Sequence, residues 1–179
     1  MLQGTSEIPR PIIYYVSEHH LKIHILNWII KSTRKLYCHT NLNNLLNSWL
    51  DISEFNWVMS DLDVINYSKE KLPIDFRENF SIVSPENFKR IIETDIQIIW
   101  GVISAVKKSE TPKFDKKNFP YVEGNDEVWE SDKFQVENSV FEITAWDSSY
   151  TIVKFKDSEL SGKFKAEYDE AMELDKFKG

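Results

Sequence analysis

The clearest alternation of apolar and polar positions in the chain is Val140-Phe-Glu-Ile-Thr-Ala-Trp-Asp-Ser-Ser-Tyr-Thr-Ile-Val-Lys-Phe155. Two period-two runs flank a polar turn, which predicts a β-hairpin. With Asp147-Ser148-Ser149 as the loop, Phe141 faces Phe155, Ile143 faces Val153 and Ala145 faces Thr151 on one mostly apolar face. The other face pairs Glu142 with Lys154, Thr144 with Ile152, and Trp146 with Tyr150, the last as an exposed aromatic pair. A one-residue slip would mix the two faces, so the matched register is favoured. A three-residue loop asks for a residue in the left-handed region, where Asp and Ser serve less well than Gly or Asn.

The same reading runs along the rest of the chain. Residues 1–11 form an irregular arm punctuated by Pro9 and Pro11. Ile12 to Val16 is a short β-type run. Ser17 can cap a helix from Glu18 to about Tyr37, with a polar stripe of His20, His24, Asn27, Lys31 and Lys35. A strand over Leu21, Ile23 and Ile25 competes with it. Thr40 caps a second helix carrying Leu42, Leu45, Leu46, Trp49 and Leu50 at helical spacing.

Glu54 to about Ile65 reads as a strand, 66–79 as a polar loop, and Phe80 to Val83 as a short strand. Ser84-Pro85-Glu86 opens a helix that buries Phe88, Ile91 and Ile92. Ile96 to Val106 is apolar on both faces, with Ile96, Ile98, Trp100 and Val102 on one and Ile99, Gly101, Ile103 and Ala105 on the other. That predicts an internal strand. Lys107 to Lys133 is a long charged segment suited to a mobile or functional loop. A final helix, capped by Asp157 or Ser158, aligns Leu160, Phe164, Tyr168, Ala171 and Leu174.

The order of elements predicts an α+β fold. One domain over residues 12–179 holds a mainly antiparallel sheet of about five or six strands, with helices on one face and a C-terminal helix.

Composition then narrows the function classes. The 179 residues suffice for one domain with a real core. Hydrophobic residues make up 41% of the chain and six are tryptophan, which argues against disorder. The net charge of −7 disfavours nucleic acid as a partner and suits a basic protein instead. Cys38 is the single cysteine, so no intramolecular disulfide forms and a reducing, cytoplasmic setting is expected. No apolar run reaches the ~20 residues of a membrane span, and the N-terminus lacks a signal-peptide layout.

Candidate chemistry is sparse. His20 and His24, at i and i+4, could share a metal ion on a helix, but a third ligand and the H-E-x-x-H pattern are missing. The plainer reading is a solvated stripe. Val58-Met-Ser-Asp61-Leu-Asp63 resembles the nucleophile motif of haloacid-dehalogenase-like phosphatases, which implies a magnesium-dependent hydrolase or phosphotransferase using Asp61 and Asp63. The family's later acidic motif and its succession of β-α units are absent. Cys38-His39 are sequence neighbours, whose side chains usually diverge. Asp147-Ser148-Ser149 lacks a nucleophile elbow, and Asp and Ser are ordinary turn formers. No phosphate-binding loop or C-x-x-C occurs, so no cofactor is implied.

What remains is surface. Glu123, Asp126, Glu127, Glu130 and Asp132 surround Trp129 in the long segment, and five further acids line the last helix. An aromatic set in an acidic field suits protein binding, with Trp129, Trp146 and Tyr150 as anchors beside Glu127 and Glu130.

Leu45-Leu46-Asn-Ser-Trp-Leu-Asp-Ile52, Phe55-Asn-Trp57, Ser84-Pro-Glu-Asn-Phe88 and Asp147-Ser-Ser-Tyr150 through Lys156-Asp157 resemble a family of small bacterial proteins known as a domain of unknown function. The resemblance spans about residues 42–175 and implies no catalytic residues. In general type the chain also looks like immunity partners of bacterial toxins. The expected function is therefore a non-enzymatic, acidic, cytosolic protein-binding domain of the immunity or antitoxin kind. The alternatives are the Asp61/Asp63 hydrolase and a structural or regulatory module that forms oligomers.

Overall fold

The computed structural model describes residues 25–33, 36–46, 48–68 and 70–178. The arm at 1–11, the run Ile12 to Val16, and His20 and His24 lie outside them. Among the described residues seven strands form one sheet, and every pair is antiparallel. They are β1 (Trp28–Ile30), β2 (Phe55–Asn66), β3 (Phe80–Val83), β4 (Ile96–Lys107), β5 (Ser139–Trp146), β6 (Tyr150–Phe155) and β7 (Met172–Glu173), in the order β3-β2-β4-β5-β6-β1-β7. Three α-helices accompany them among the described residues: α1 (Leu42–Leu46), α2 (Pro85–Ile92) and α3 (Ser158–Glu167).

The hairpin forms β5 and β6 in the expected register, from Phe141↔Phe155 to Trp146↔Tyr150. Its turn departs in one respect. Both Asp147 (φ 47°) and Ser148 (φ 52°) are left-handed, and the Ser149 N–H reaches the Trp146 carbonyl at 2.8 Å. Two consecutive positive φ values are the signature of a type I′ turn, whose twist matches the strands.

Two short strands raise the count above the expected five or six. β1 lies within the stretch predicted as helix to Tyr37. Extended, it pairs with β6 on one side and β7 on the other. Trp28, Ile29 and Ile30 are all buried, because a two-sided ladder lets both faces of the strand pack. β7 lies within the predicted last helix. That helix is capped by Asp157, which accepts from the Glu159 and Leu160 N–H groups, but it stops at Tyr168. The Tyr168 hydroxyl lies 2.8 Å from the Asn44 carbonyl and 3.0 Å from that of Leu45, anchoring the turn on α1. Ala171 and Leu174 are buried beyond the helix, not on its face.

The three helices share one face of the sheet. Leu42, Leu45 and Leu46 of α1, Phe88, Ile91 and Ile92 of α2, and Phe164 of α3 join Trp57, Met59, Ile103, Phe141, Ile143, Val153 and Phe155 in one core. Trp57 stacks on Phe88 with centroids 3.7 Å apart. β4 is internal, as its two apolar faces predict, yet its alternation is broken. Ile96 and Ile98 share the helix-side core with Ile103 and Ala105, whereas Trp100 meets Trp146 on the other side. The break falls between Ile98 and Trp100, where the pairs Asp63↔Trp100 and Val64↔Ile98 leave Ile99 unmatched; next to it, Gly101 faces a bulge of β2 where Asp61 and Leu62 fit between the pairs Ser60↔Val102 and Asp63↔Trp100. A Cβ on Gly101 would lie 2.6 Å from the Leu62 Cδ2, so a larger residue there would displace the end of the Leu62 side chain.

The charged segment after β4 does more than connect strands. Residues 108–138 run as a strap across the second face of the sheet, with one 3₁₀ turn at Asp126–Trp129. Val136 packs with Val58 and Val106, and Val128 packs with Ile29, Ile152 and Leu174. The sheet thus carries helices on one side and this strap on the other. Among the described residues, no helix is long and apolar enough to cross a membrane.

Candidate protein-binding surface

The strap is held by polar groups that point out of the second face. Ser60 donates to the Pro120 carbonyl at 2.5 Å, and the Asp61 carboxylate accepts the Val122 N–H at 2.8 Å. Further along, Glu142 and Lys154, cross-strand partners in the hairpin, are both buried. This cross-strand pair clamps the strap. Glu142 accepts the Gln135 and Val136 N–H groups and the Ser104 hydroxyl at 3.0–3.1 Å. The Lys154 ammonium donates to the carbonyls of Glu127 (3.4 Å), Glu130 (3.5 Å) and Lys133. Burial pushes the Lys154 pKa down, opposed by Glu142, Glu127, Glu130 and Asp132. The carbonyls and surrounding carboxylates therefore stand in for the water that the ammonium has lost.

This clamp fixes the 3₁₀ turn, and the turn sets Trp129 over the end of the hairpin. Trp129 lies 4.9 Å from Trp146 and 6.3 Å from Tyr150, centroid to centroid. The three aromatic anchors named from sequence therefore converge. Two more join them. Phe177 stacks on Trp129 at 5.8 Å and 12°, and Trp100 contacts Trp146 at 5.1 Å. All five rings are half-buried. The Trp146–Tyr150 pair is thus not the freely exposed pair expected, because Trp129 and Phe177 pack against it. The rings form a ridge at one end of the second face. Glu127 and Glu130 lie on and just after the 3₁₀ turn, both exposed, so they flank Trp129. Trp100 was grouped with Ile96 and Ile98 because the break at Ile99 leaves no trace in the period. Phe177 sits past the last periodic residue, where no local pattern marks it.

The other candidates fall elsewhere. Asp61 and Asp63 border an open depression of about 310 Å³ with Glu78, Glu123, Arg77 and Trp100. Asp61 is left-handed (φ 53°) at the bulge, and one of its carboxylate oxygens is engaged by Val122. Among the described residues no three His, Cys, Asp or Glu side chains group as metal ligands would. Cys38 and His39 have separate partners. The Cys38 Sγ lies 3.7 Å from the Thr40 hydroxyl. His39 is buried, with Nδ1 2.8 Å from the Thr151 hydroxyl and a hydrogen bond to the Ser148 backbone. Burial pushes the His39 pKa down more than that bond raises it. Asp147-Ser148-Ser149 is the hairpin turn, with the Ser148 N–H bound to the Ile99 carbonyl at 3.1 Å.

Comparison of the chain with protein-family models, curated proteins and solved structures finds no match.

Proposed function

We propose that the chain is a non-enzymatic, acidic protein-binding domain of the immunity or antitoxin type, acting in the cytosol on a basic protein partner. The observation that carries this reading is the convergence of Trp129, Trp146 and Tyr150, with Trp100 and Phe177, into one half-buried ridge flanked by Glu127 and Glu130. Rigid aromatic side chains that keep one face open are the usual anchors of protein interfaces. Acids around them favour a basic partner and speed its approach, and the net charge of −7 acts in the same direction.

Affinity capture from native bacterial lysate, at low and at physiological salt, tests it. Wild type should retain a basic protein, more strongly at low salt. W129A and W146A should lose it, and K89A, on the helix-covered face, should keep it. Capture of nothing at either salt, or capture that is indifferent to both tryptophans, would overturn the proposal.

A further inference from the structure

The 3₁₀ turn that carries Trp129 has a second side. Asp126 and Glu127 there line a hollow of about 520 Å³ sunk into the strap itself. Asp115 supplies a third carboxylate, and Phe119, Tyr121 and Phe134 supply aromatic walls. No lysine or arginine lines it.

The amides of Asn125 and Gln135 bond to the strap itself. Asn125 donates to the Tyr121 carbonyl and to Gln135 Oε1, both at 3.1 Å. Gln135 donates to the Tyr121 carbonyl at 3.0 Å, and its Oε1 accepts the Tyr121 N–H at 2.8 Å. These side chains spend their hydrogen bonds holding the strap in shape. The rest of the lining includes the three carboxylates, the three rings and the Asn118 amide. That chemistry rejects an anion and calls for a cation rich in donors.

The size and spacing choose among cations. The described carboxylates are not grouped closely enough to hold a metal ion. Phe134 already carries the ammonium groups of Lys156 at 4.4 Å and Lys154 at 5.6 Å, so stacking falls to Phe119 and the exposed Tyr121. A guanidinium is planar, stacks on such rings and offers five donors in a fork that matches a carboxylate. An ammonium offers neither the plane nor the fork.

We infer that this hollow is a socket for an arginine side chain of the basic partner, seated against Tyr121 and paired with Asp126 and Glu127. The inference rests on the protein-binding reading and specifies its partner. The ridge then supplies buried apolar area, and the socket supplies selectivity for arginine over lysine.

Titration of the full chain with acetyl-Gly-Arg-Gly-amide, followed by ¹H–¹⁵N NMR, tests the socket. Saturable shifts are expected at the side-chain amides of Asn125 and Gln135 and at the Tyr121 N–H. The lysine peptide should bind several-fold more weakly, and the neutral citrulline peptide should leave the spectrum unchanged. D126N/E127Q should lose about tenfold in affinity, the loss of roughly one charge-assisted pair. Both positions are exposed, so the variant should keep its fold, which the same spectra report. K89A, on the helix-covered face, should bind the peptide as wild type does. Absence of shifts, equal response to citrulline, equal response to spermine, or indifference to D126N/E127Q would overturn the inference. The two readings separate in capture experiments. If W146A loses the partner and D126N/E127Q does not, the socket fails and the ridge stands. If the arginine peptide fills the hollow but the ridge variants keep the partner, the ridge fails and the socket stands.

Discussion

At the scale of single residues, the second face of the sheet is governed by polar groups whose partners lie far away in sequence. Lys154 is the sharpest case. Its ammonium satisfies three carbonyls of the strap, so K154M leaves part-buried acceptors without this donor. A loss of about 1–3 kcal/mol is expected, read as a lower urea midpoint. Thr144 is the opposite case. Its hydroxyl is fully buried and has no hydrogen-bond partner among the described residues. T144V keeps the shape and removes an unpaid desolvation cost, so it should stabilise the protein by about 1 kcal/mol in the same assay. His39 adds a pH dependence. Its folded-state pKa lies below the unfolded value of about 6.5, so the folded state binds fewer protons. The stability tied to His39 is present above pH ~6.5 and is lost as pH falls through the folded pKa. H39N should flatten the decline in stability below pH ~6.5, and an unchanged slope would contradict this.

At the scale of elements, pattern was informative wherever an element was long enough to show its period. The hairpin register followed from alternation over Phe141–Phe155, and the α2 start followed from Ser84-Pro85. The weakness noted in the hairpin turn is real and has a consequence. Asp147 and Ser148 both occupy the left-handed region, where Asn and Gly are at less cost. The double substitution D147N/S148G should therefore raise stability by about 0.5–1 kcal/mol, measured as a higher Tm. β1 and β7 were invisible for the converse reason. Three residues and two residues cannot display a period, and Trp28, Ala171 and Leu174 also fit helical spacing. Pairing on both sides of β1 outweighed that local preference. The break at Ile99 likewise depends on how β4 pairs with Asp63 and Val64 in another strand.

At the scale of the whole molecule, the helix-side core was readable from sequence and the strap side was not. Val122, Val128 and Val136 are single apolar residues spread through a charged segment, so nothing local shows that they cover a sheet. For the same reason nothing local shows that Glu142 and Lys154 are buried beneath the strap. The candidate surface was half visible. Trp129, Trp146, Tyr150, Glu127 and Glu130 were named from composition and neighbourhood, whereas Trp100 and Phe177 reach the ridge only through the tertiary fold. On the proposed function the strap would link stability to recognition, since the lysine that clamps it also fixes the turn bearing Trp129. The most direct measurement is isothermal titration of the captured, purified partner into wild type, W129A, W146A and K89A at two salt concentrations. The expected result is a loss of tenfold or more for each tryptophan variant, no change for K89A, and weaker wild-type binding at high salt. Equal affinity for all four proteins would contradict a binding role for the aromatic ridge.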